Sequence, residues 1–405
     1  MKFFIKTIQQ HFSFFIIICG AGSFFISNII LKEIFTPQQY GNYSIFITYI
    51  SLISIFGLLG LEQIFIRYSE FLSYNKITTQ KFQIRLIFTV IIISSIISCF
   101  FFNNLYFYLN LNIILVLFSS MSIISLLYFY NVFRLNSDFI LSQILNNLWK
   151  IILLGITSTF LIFEIKDFIL FINIIMISII STNLLAAYFY YKRIKFIYNE
   201  IVSKKIIYSS SVQFLVSITS FSLLLFGDRF LIEYKFGINE FGNYFYLTNF
   251  FLAPFSIFQN YIGFKQLIAF KNNFNKELLN KISKKTFFLG TMLSIILFII
   301  PKFICYFRIT TFNFNDFNFE IILILILGNI RLYNATINSA FEARTDLKTL
   351  EKANFRNIII SATIIIITFV FFNKIELIII SFIMIWVFRS IITRRLLVGQ
   401  IIKEI

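Results

Sequence analysis

Twelve apolar runs, most of them about twenty residues long, recur along this 405-residue chain, and no connection between them exceeds roughly twenty residues. A helix crosses the hydrocarbon core of a bilayer in about 20 residues, whereas a spanning strand needs only about 9–11. In lipid every backbone N–H and C=O must be paired within the protein, which leaves helices and closed barrels. Runs of this length select helices. The expected spans are 11–31, 42–65, 86–106, 110–132, 139–162, 168–190, 212–235, 242–263, 286–307, 319–341, 357–372 and 377–397. The eleventh is short, and its helix is expected to start earlier, within the charged segment Asp346–Arg356. The fold class is therefore an all-α polytopic membrane protein with about twelve transmembrane helices, and no connection has room for a soluble domain.

Composition agrees. Hydrophobic residues make up 59% of the chain and charged residues 13%, about half the ~25% of a soluble protein. Mean hydropathy is +0.86. The N-terminal run has the look of a leader, with Lys2 and Lys6 before an apolar stretch. It continues to Ile30, however, and Ile18 stands before Cys19 where lipoprotein cleavage needs a small residue, so it is read as the first span.

The net charge of +17 would suggest nucleic acid in a soluble protein. Here the basic residues gather in connections. Of 35 Lys and Arg, twenty-six lie at the two termini and in the connections after even-numbered spans, six lie in the other connections, and Lys150, Arg229 and Arg331 lie inside spans. Positive residues stay on the cytoplasmic side, which places both termini there and requires an even number of crossings. No nucleic-acid partner is implied. The basic loops Lys192–Lys205 and Lys265–Lys285 are expected to lie against anionic phospholipids. Cys19, Cys99 and Cys305 have no metal-ligand spacing and His11 is the single histidine, so no metal or cofactor site is expected.

One internal repeat is visible. Tyr40-Gly41-Asn42-Tyr43 opens the second span and Phe241-Gly242-Asn243-Tyr244 opens the eighth, at an offset of 201 residues that Phe35 and Phe236 also keep. An even number of spans between copies implies a parallel duplication. The expected organisation is an N-terminal six-helix lobe at 1–207, with a cytoplasmic linker at 192–207, and a C-terminal six-helix lobe at 208–405, related by a pseudo-two-fold axis along the membrane normal.

The segment from Phe35 to Tyr43 resembles the start of the second helix in the polysaccharide repeat-unit (O-antigen) flippases of the multidrug/oligosaccharidyl-lipid/polysaccharide (MOP) exporter superfamily. Gly57-Leu58-Leu59-Gly60-Leu61-Glu62-Gln63 with Arg67-Tyr68 resembles that helix's cytoplasmic end. Gly227-Asp228-Arg229 followed by Phe241–Tyr244 resembles the counterpart in the second half, and Arg134 after the fourth span fits the pattern. The resemblance implies a transporter rather than an enzyme. It would sit in a bacterial inner membrane and flip undecaprenyl-pyrophosphate-linked oligosaccharide by alternating access, for O-antigen, capsule or exopolysaccharide assembly. A polysaccharide polymerase and a chain-length regulator are the implied protein partners.

A cation at mid-bilayer costs about 2.5–3.5 kcal/mol on insertion scales and so faces a protein interior or a watery cavity. Lys150 and Arg331 are expected at that depth. Gln143, Asn146, Asn147 and Lys150 share one helical face, and Arg331, Asn334, Asn338 and Glu342 share another. The functional reading is a basic cavity between the halves, its cations pairing with phosphate and its amides with sugar. The structural alternative is polar glue between helices.

Asp228 with Arg229 is a candidate ion-coupling pair or a local ion pair near the interface. Glu62, Arg134 and Pro254 are candidates for the mouth and the gate: Glu62 has a possible ion-pair partner in Arg67, Arg134 doubles as a headgroup anchor, and Pro254 should kink its helix. Two rival functions differ in sequence demands. A cation-coupled drug or metabolite antiporter of the same superfamily would favour carboxylates in the first half. A membrane-embedded polysaccharide polymerase would need a large external loop, and the longest here has about a dozen residues with only Asp316 acidic.

Overall fold

The computed structural model describes the backbone from 2 to 404 apart from 74, 200, 201, 273, 308 and 309. Side chains are described for those residues except 2–11, 260, 261, 263–265, 267–269, 271, 272, 342, 347 and 400–404. The chain is almost entirely helical: α1 (Lys2–Ile34), α2 (Pro37–Phe56), α3 (Leu61–Tyr68), α4 (Lys81–Leu105), α5 (Ile113–Leu135), α6 (Phe139–Ile162), α7 (Phe168–Arg193), α8 (Lys204–Asn272), α9 (Lys276–Tyr306), α10 (Asn318–Arg344), α11 (Leu347–Phe371) and α12 (Ile375–Glu404). Among the described residues, eleven helical runs are long and apolar enough to cross a membrane, with α2 and α3 counted as one. This is a multi-pass membrane protein.

The eleventh-versus-twelfth crossing is settled inside α8. Its apolar run Lys204–Gln259 has 56 residues, about 84 Å as a straight helix against a hydrocarbon core of about 30 Å. The run breaks at Gly237, with φ 81° and ψ −179°, a conformation that costs glycine nothing and other residues a great deal. Tyr244 hydrogen-bonds Asp228 at 2.6 Å although sixteen residues of straight helix would hold them about 24 Å apart. The chain therefore folds back at Gly237, and α8 makes two crossings. Pro254, the expected kink, keeps helical dihedrals; the departure lies 17 residues earlier, where a glycine supplies the backbone freedom.

Gly237 stands 201 residues after Thr36, the N-cap of α2, so the structural interruption repeats at the offset of the sequence motif. Thr36 and Gln39 form a reciprocal capping box there, with Pro37 in the first turn. The motif aromatics Tyr40, Tyr43, Phe241 and Tyr244 are all buried.

The chain forms two compact units, Met1–Ser222 and Leu223–Ile405. Within the first, α1 packs on α6, α4 on α5, and α7 on both α5 and α6. Within the second, α9 packs on α10, and α12 on both α10 and α11. The α8 segment before Gly237 reaches α11: Lys235 Nζ donates to the carbonyls of Phe372 at 2.6 Å and Thr368 at 3.3 Å, capping the C-terminal end of α11. The two units thus repeat one order of helix pairing.

A three-stranded sheet departs from the all-helical expectation. β1 (Glu70–Ser73) pairs antiparallel with β2 (Lys76–Thr79), and β2 pairs parallel with β3 (Lys195–Tyr198). The segment expected to lie as a basic loop at 192–205 is thus partly a strand, held where α3, α4 and α7 meet. Asn75 and Asn136 exchange two hydrogen bonds, 2.9 and 3.1 Å, tying the β1–β2 turn to the end of α5. Arg193 and Asp138 form an ion pair at 3.1 Å across the same end. The other basic segment, Lys265–Lys285, is largely helical, shared between α8 and α9. α11 begins at Leu347 with Asp346 as its cap, within the charged segment anticipated for it.

Candidate functional site

In the first unit the expected polar face of α6 is present and connected. Lys150 is the twelfth of that helix's 24 residues, at mid-span. Its Nζ donates to Asn147 Oδ1 at 3.3 Å and lies 5.8 Å from the Trp149 ring centroid. Asn147, buried, in turn donates to the Gln143 carbonyl at 2.9 Å, and Gln143 donates to the Tyr130 hydroxyl at 3.3 Å. The i, i+4, i+7 spacing thus becomes a hydrogen-bonded ladder down one face of the helix. Asn146 is half-buried one position round the helix. Among the described residues no carboxylate lies within ion-pair distance of Lys150; its partners are an amide and an indole face.

The ladder depends on α1. Gly20 sits against the Asn147 side chain so closely that a Cβ there would overlap it. Phe24, one turn along α1, packs edge-on to Trp149 at 6.2 Å.

In the second unit the polar groups gather around Asp228. This carboxylate is 5% exposed and accepts a 2.6 Å hydrogen bond from the Tyr244 hydroxyl and a 2.9 Å bond from the Arg229 backbone N–H. The charges of Arg229 and Arg331 both act on it. Arg331, fourteenth of the 27 residues of α10, lies with its guanidinium 5.5 Å from the Trp386 ring centroid. Arg229 lies over Phe226 at 5.4 Å and Phe245 at 5.1 Å. The sequence reading placed Arg331 with the α10 amides and Asp228 with Arg229; the structure brings Arg331 and Asp228 into one cluster. Tyr244 was visible as a repeat residue, but nothing local pointed to its bond with Asp228, because that bond needs the reversal at Gly237.

The other α10 amides divide. Asn334 is fully buried and donates to Ser390 Oγ of α12 at 2.7 Å, so it serves helix packing rather than an open wall. Asn338 is half-buried, and the Glu342 side chain lies outside the described residues.

Glu62 does not pair with Arg67. Five residues place them about 140° apart around α3; Glu62 is 5% exposed while Arg67 points outward over the Tyr68 ring at 5.9 Å. Glu62 sits in the first turn of α3, just after the Gly57–Gly60 break between α2 and α3, and its Oε2 has no hydrogen-bond partner among the described residues. Arg134 occupies the last turn of α5, half-buried, two residues before the Asn136 that anchors the sheet.

No protein-family model matches the chain, and no curated protein does. Solved structures do. The lipid II flippase MurJ in an inward closed conformation superposes with a TM-score of 0.62 at 16% identity, covering 98% of this chain and 87% of that one. A MATE transporter in complex with MaD3S gives 0.60 at 11% identity, covering 97% and 96%. An outward-facing MATE family multidrug resistance transporter of the MOP superfamily gives 0.52 at 11%, covering 94% of each chain. The chain has the fold of these solved MATE and lipid II flippase structures.

Proposed function

We propose that this protein is a flippase for a lipid-linked, diphosphate-bearing oligosaccharide, working by alternating access in a bacterial inner membrane with both termini in the cytoplasm. The observation that carries the reading is Lys150. It is a cation at mid-span of an apolar helix whose partners are neutral. A charge at that depth is costly unless water or a counter-charge reaches it, and the protein's described residues offer no carboxylate. A phosphate-bearing cargo supplies the missing anion, and the neighbouring amides Gln143 and Asn146 suit sugar hydroxyls. Arg331 plays the corresponding part in the second unit, with the Asp228 carboxylate in the same cluster as its counter-charge between cargoes. The Lys and Arg asymmetry of the connections supports the orientation, and the fold shared with a lipid II flippase supports the cargo class. Surface polysaccharide assembly is the pathway this cargo serves.

A drug antiporter on the same fold would bind a cation or neutral drug against a carboxylate. The first unit offers a lysine at mid-span instead, which favours an anionic cargo.

The test is complementation of a deletion strain with Lys150→Ala, Lys150→Arg and wild type at equal membrane abundance. Surface glycan lost with Lys150→Ala and largely kept with Lys150→Arg supports the reading. Undiminished glycan with Lys150→Ala, or unchanged glycan in the deletion strain itself, overturns it.

A further inference from the structure

A second basic site lies in the second unit, and none of its lining residues belongs to the Asp228 cluster. It is a half-open cavity of about 570 Å³ lined by α9, α10 and α12. Two cations line it, Lys284 of α9 and Arg394 of α12, and no carboxylate does. Arg394 is held by neutral acceptors on both other helices: it donates to Tyr333 Oη of α10 at 2.7 Å and to Asn280 Oδ1 of α9 at 2.7 Å. Tyr333 is itself fixed by an edge-on contact with Phe287 at 6.2 Å. A guanidinium oriented by two neutral partners keeps its full charge and its remaining donors for a ligand.

The cavity is graded along the membrane normal. Arg394 is 19 residues, about 29 Å, from the start of α12, and so at the edge of a hydrocarbon core about 30 Å thick. α12 runs toward this edge and α9 away from it. One turn deeper than each cation therefore comes an apolar residue: Ile391 below Arg394, and Phe287 below Lys284. These two are 40% and 50% exposed, as side chains turned toward acyl chains are. Cations at headgroup depth over an exposed apolar wall match an amphiphile, with phosphate at the rim and tail below. Two cations with no lining anion favour a net-negative headgroup and repel the ammonium of a zwitterionic one.

We propose that this cavity binds an anionic phospholipid of the leaflet on the side of the protein's basic end, a resident lipid that clamps α9, α10 and α12 together. The site is independent of the cargo.

The experiment uses full-length protein in detergent, following thermal unfolding and native mass spectrometry with added phosphatidylglycerol, phosphatidylcholine or inorganic phosphate. Phosphatidylglycerol is expected to raise the unfolding temperature and stay bound, with the other two inert. Arg394→Gln removes the fixed cation. Lys284→Gln, at an exposed position with no hydrogen bond or ion pair among the described residues, tests the site without threatening the fold. Each should weaken phosphatidylglycerol binding about fivefold, the worth of one basic residue near an anionic headgroup. Equal stabilisation by phosphatidylcholine, an equal effect of phosphate alone, or unchanged binding in Lys284→Gln would overturn the proposal. So would displacement of the bound lipid by an equimolar polyprenyl diphosphate, which would make this a cargo site.

Discussion

Tyr244 donates its phenolic hydrogen to the Asp228 carboxylate over 2.6 Å, and both residues are buried. Nine residues separate Asp228 from the break at Gly237 and seven separate the break from Tyr244, so two antiparallel arms bring them level. This bond is thus a reporter of the reversal itself. Tyr244→Phe leaves a buried carboxylate oxygen without its donor, which costs about 1–3 kcal/mol. The expected result is a lower unfolding temperature in detergent, with the exposed Tyr234→Phe as a neutral control. In combination with Asp228→Asn the two losses should fall short of additivity by about 0.5–3 kcal/mol. Strict additivity would show that the pair is not coupled.

Backbone strain separates two glycines of positive φ. Gly237 (φ 81°, ψ −179°) has open space where a Cβ would stand, so Gly237→Ala carries only a backbone penalty, about 1–3 kcal/mol for a region almost reserved for glycine. Gly60 (φ 82°) would place its Cβ 2.8 Å from the backbone carbon of Phe214. Gly60→Ala therefore adds an overpacking cost of about 1–3 kcal/mol. Unfolding temperatures should rank wild type above Gly237→Ala above Gly60→Ala, and Gly237→Asn should lose about as much as Gly237→Ala, because ψ −179° lies outside the left-handed helical region that asparagine tolerates. Inverted ranking would mean that the two breaks are not held as described.

What could be read in advance followed the range of the interaction. Span lengths and the Gly237 region were legible because apolar length and the 201-residue repeat are properties of contiguous sequence. The Gln143–Asn147–Lys150 ladder was legible because i, i+4, i+7 is local to one helix. The parallel pairing of β2 with β3 joins segments more than a hundred residues apart, each only four residues long, and carries no periodicity to detect. The joining of Arg331 to Asp228 failed for the same reason. Glu62 and Arg67 misled differently: opposite charges five apart suggest a pair, but the helix turns them to different sides.

Asp346 gives a pH signature at the start of α11. It accepts hydrogen bonds from Thr349, side chain and backbone N–H, and these hold its pKa below the ordinary carboxylate value. A carboxylate depressed in the folded state contributes its stability above its unfolded pKa, about 3.9, and loses it as pH falls through the lower folded value. Hydrogen exchange at 348–352, corrected for intrinsic rate, should be constant from neutral pH down to about 4 and accelerate below it. Asp346→Asn keeps an N-cap acceptor and should abolish that acceleration. The same acid response in Asp346→Asn would assign it elsewhere.

Glu62 sets stability against function. A buried carboxylate oxygen with no partner is costly, and nothing in the packing of α3 requires a charge there. Glu62→Gln keeps the shape and removes the charge, so it is expected to raise the unfolding temperature by several degrees, as relief of one such group does. The Gly57–Gly60 break beside it interrupts the same span, so a pivot of α3 would act there, against the packing of Gly60 on Phe214. If the charge is kept because it drives that pivot, the stabilised Glu62→Gln protein will display less glycan at equal abundance, and Glu62→Asp will retain more. A variant that is both more stable and fully active would remove Glu62 from the transport cycle and leave it an uncompensated cost.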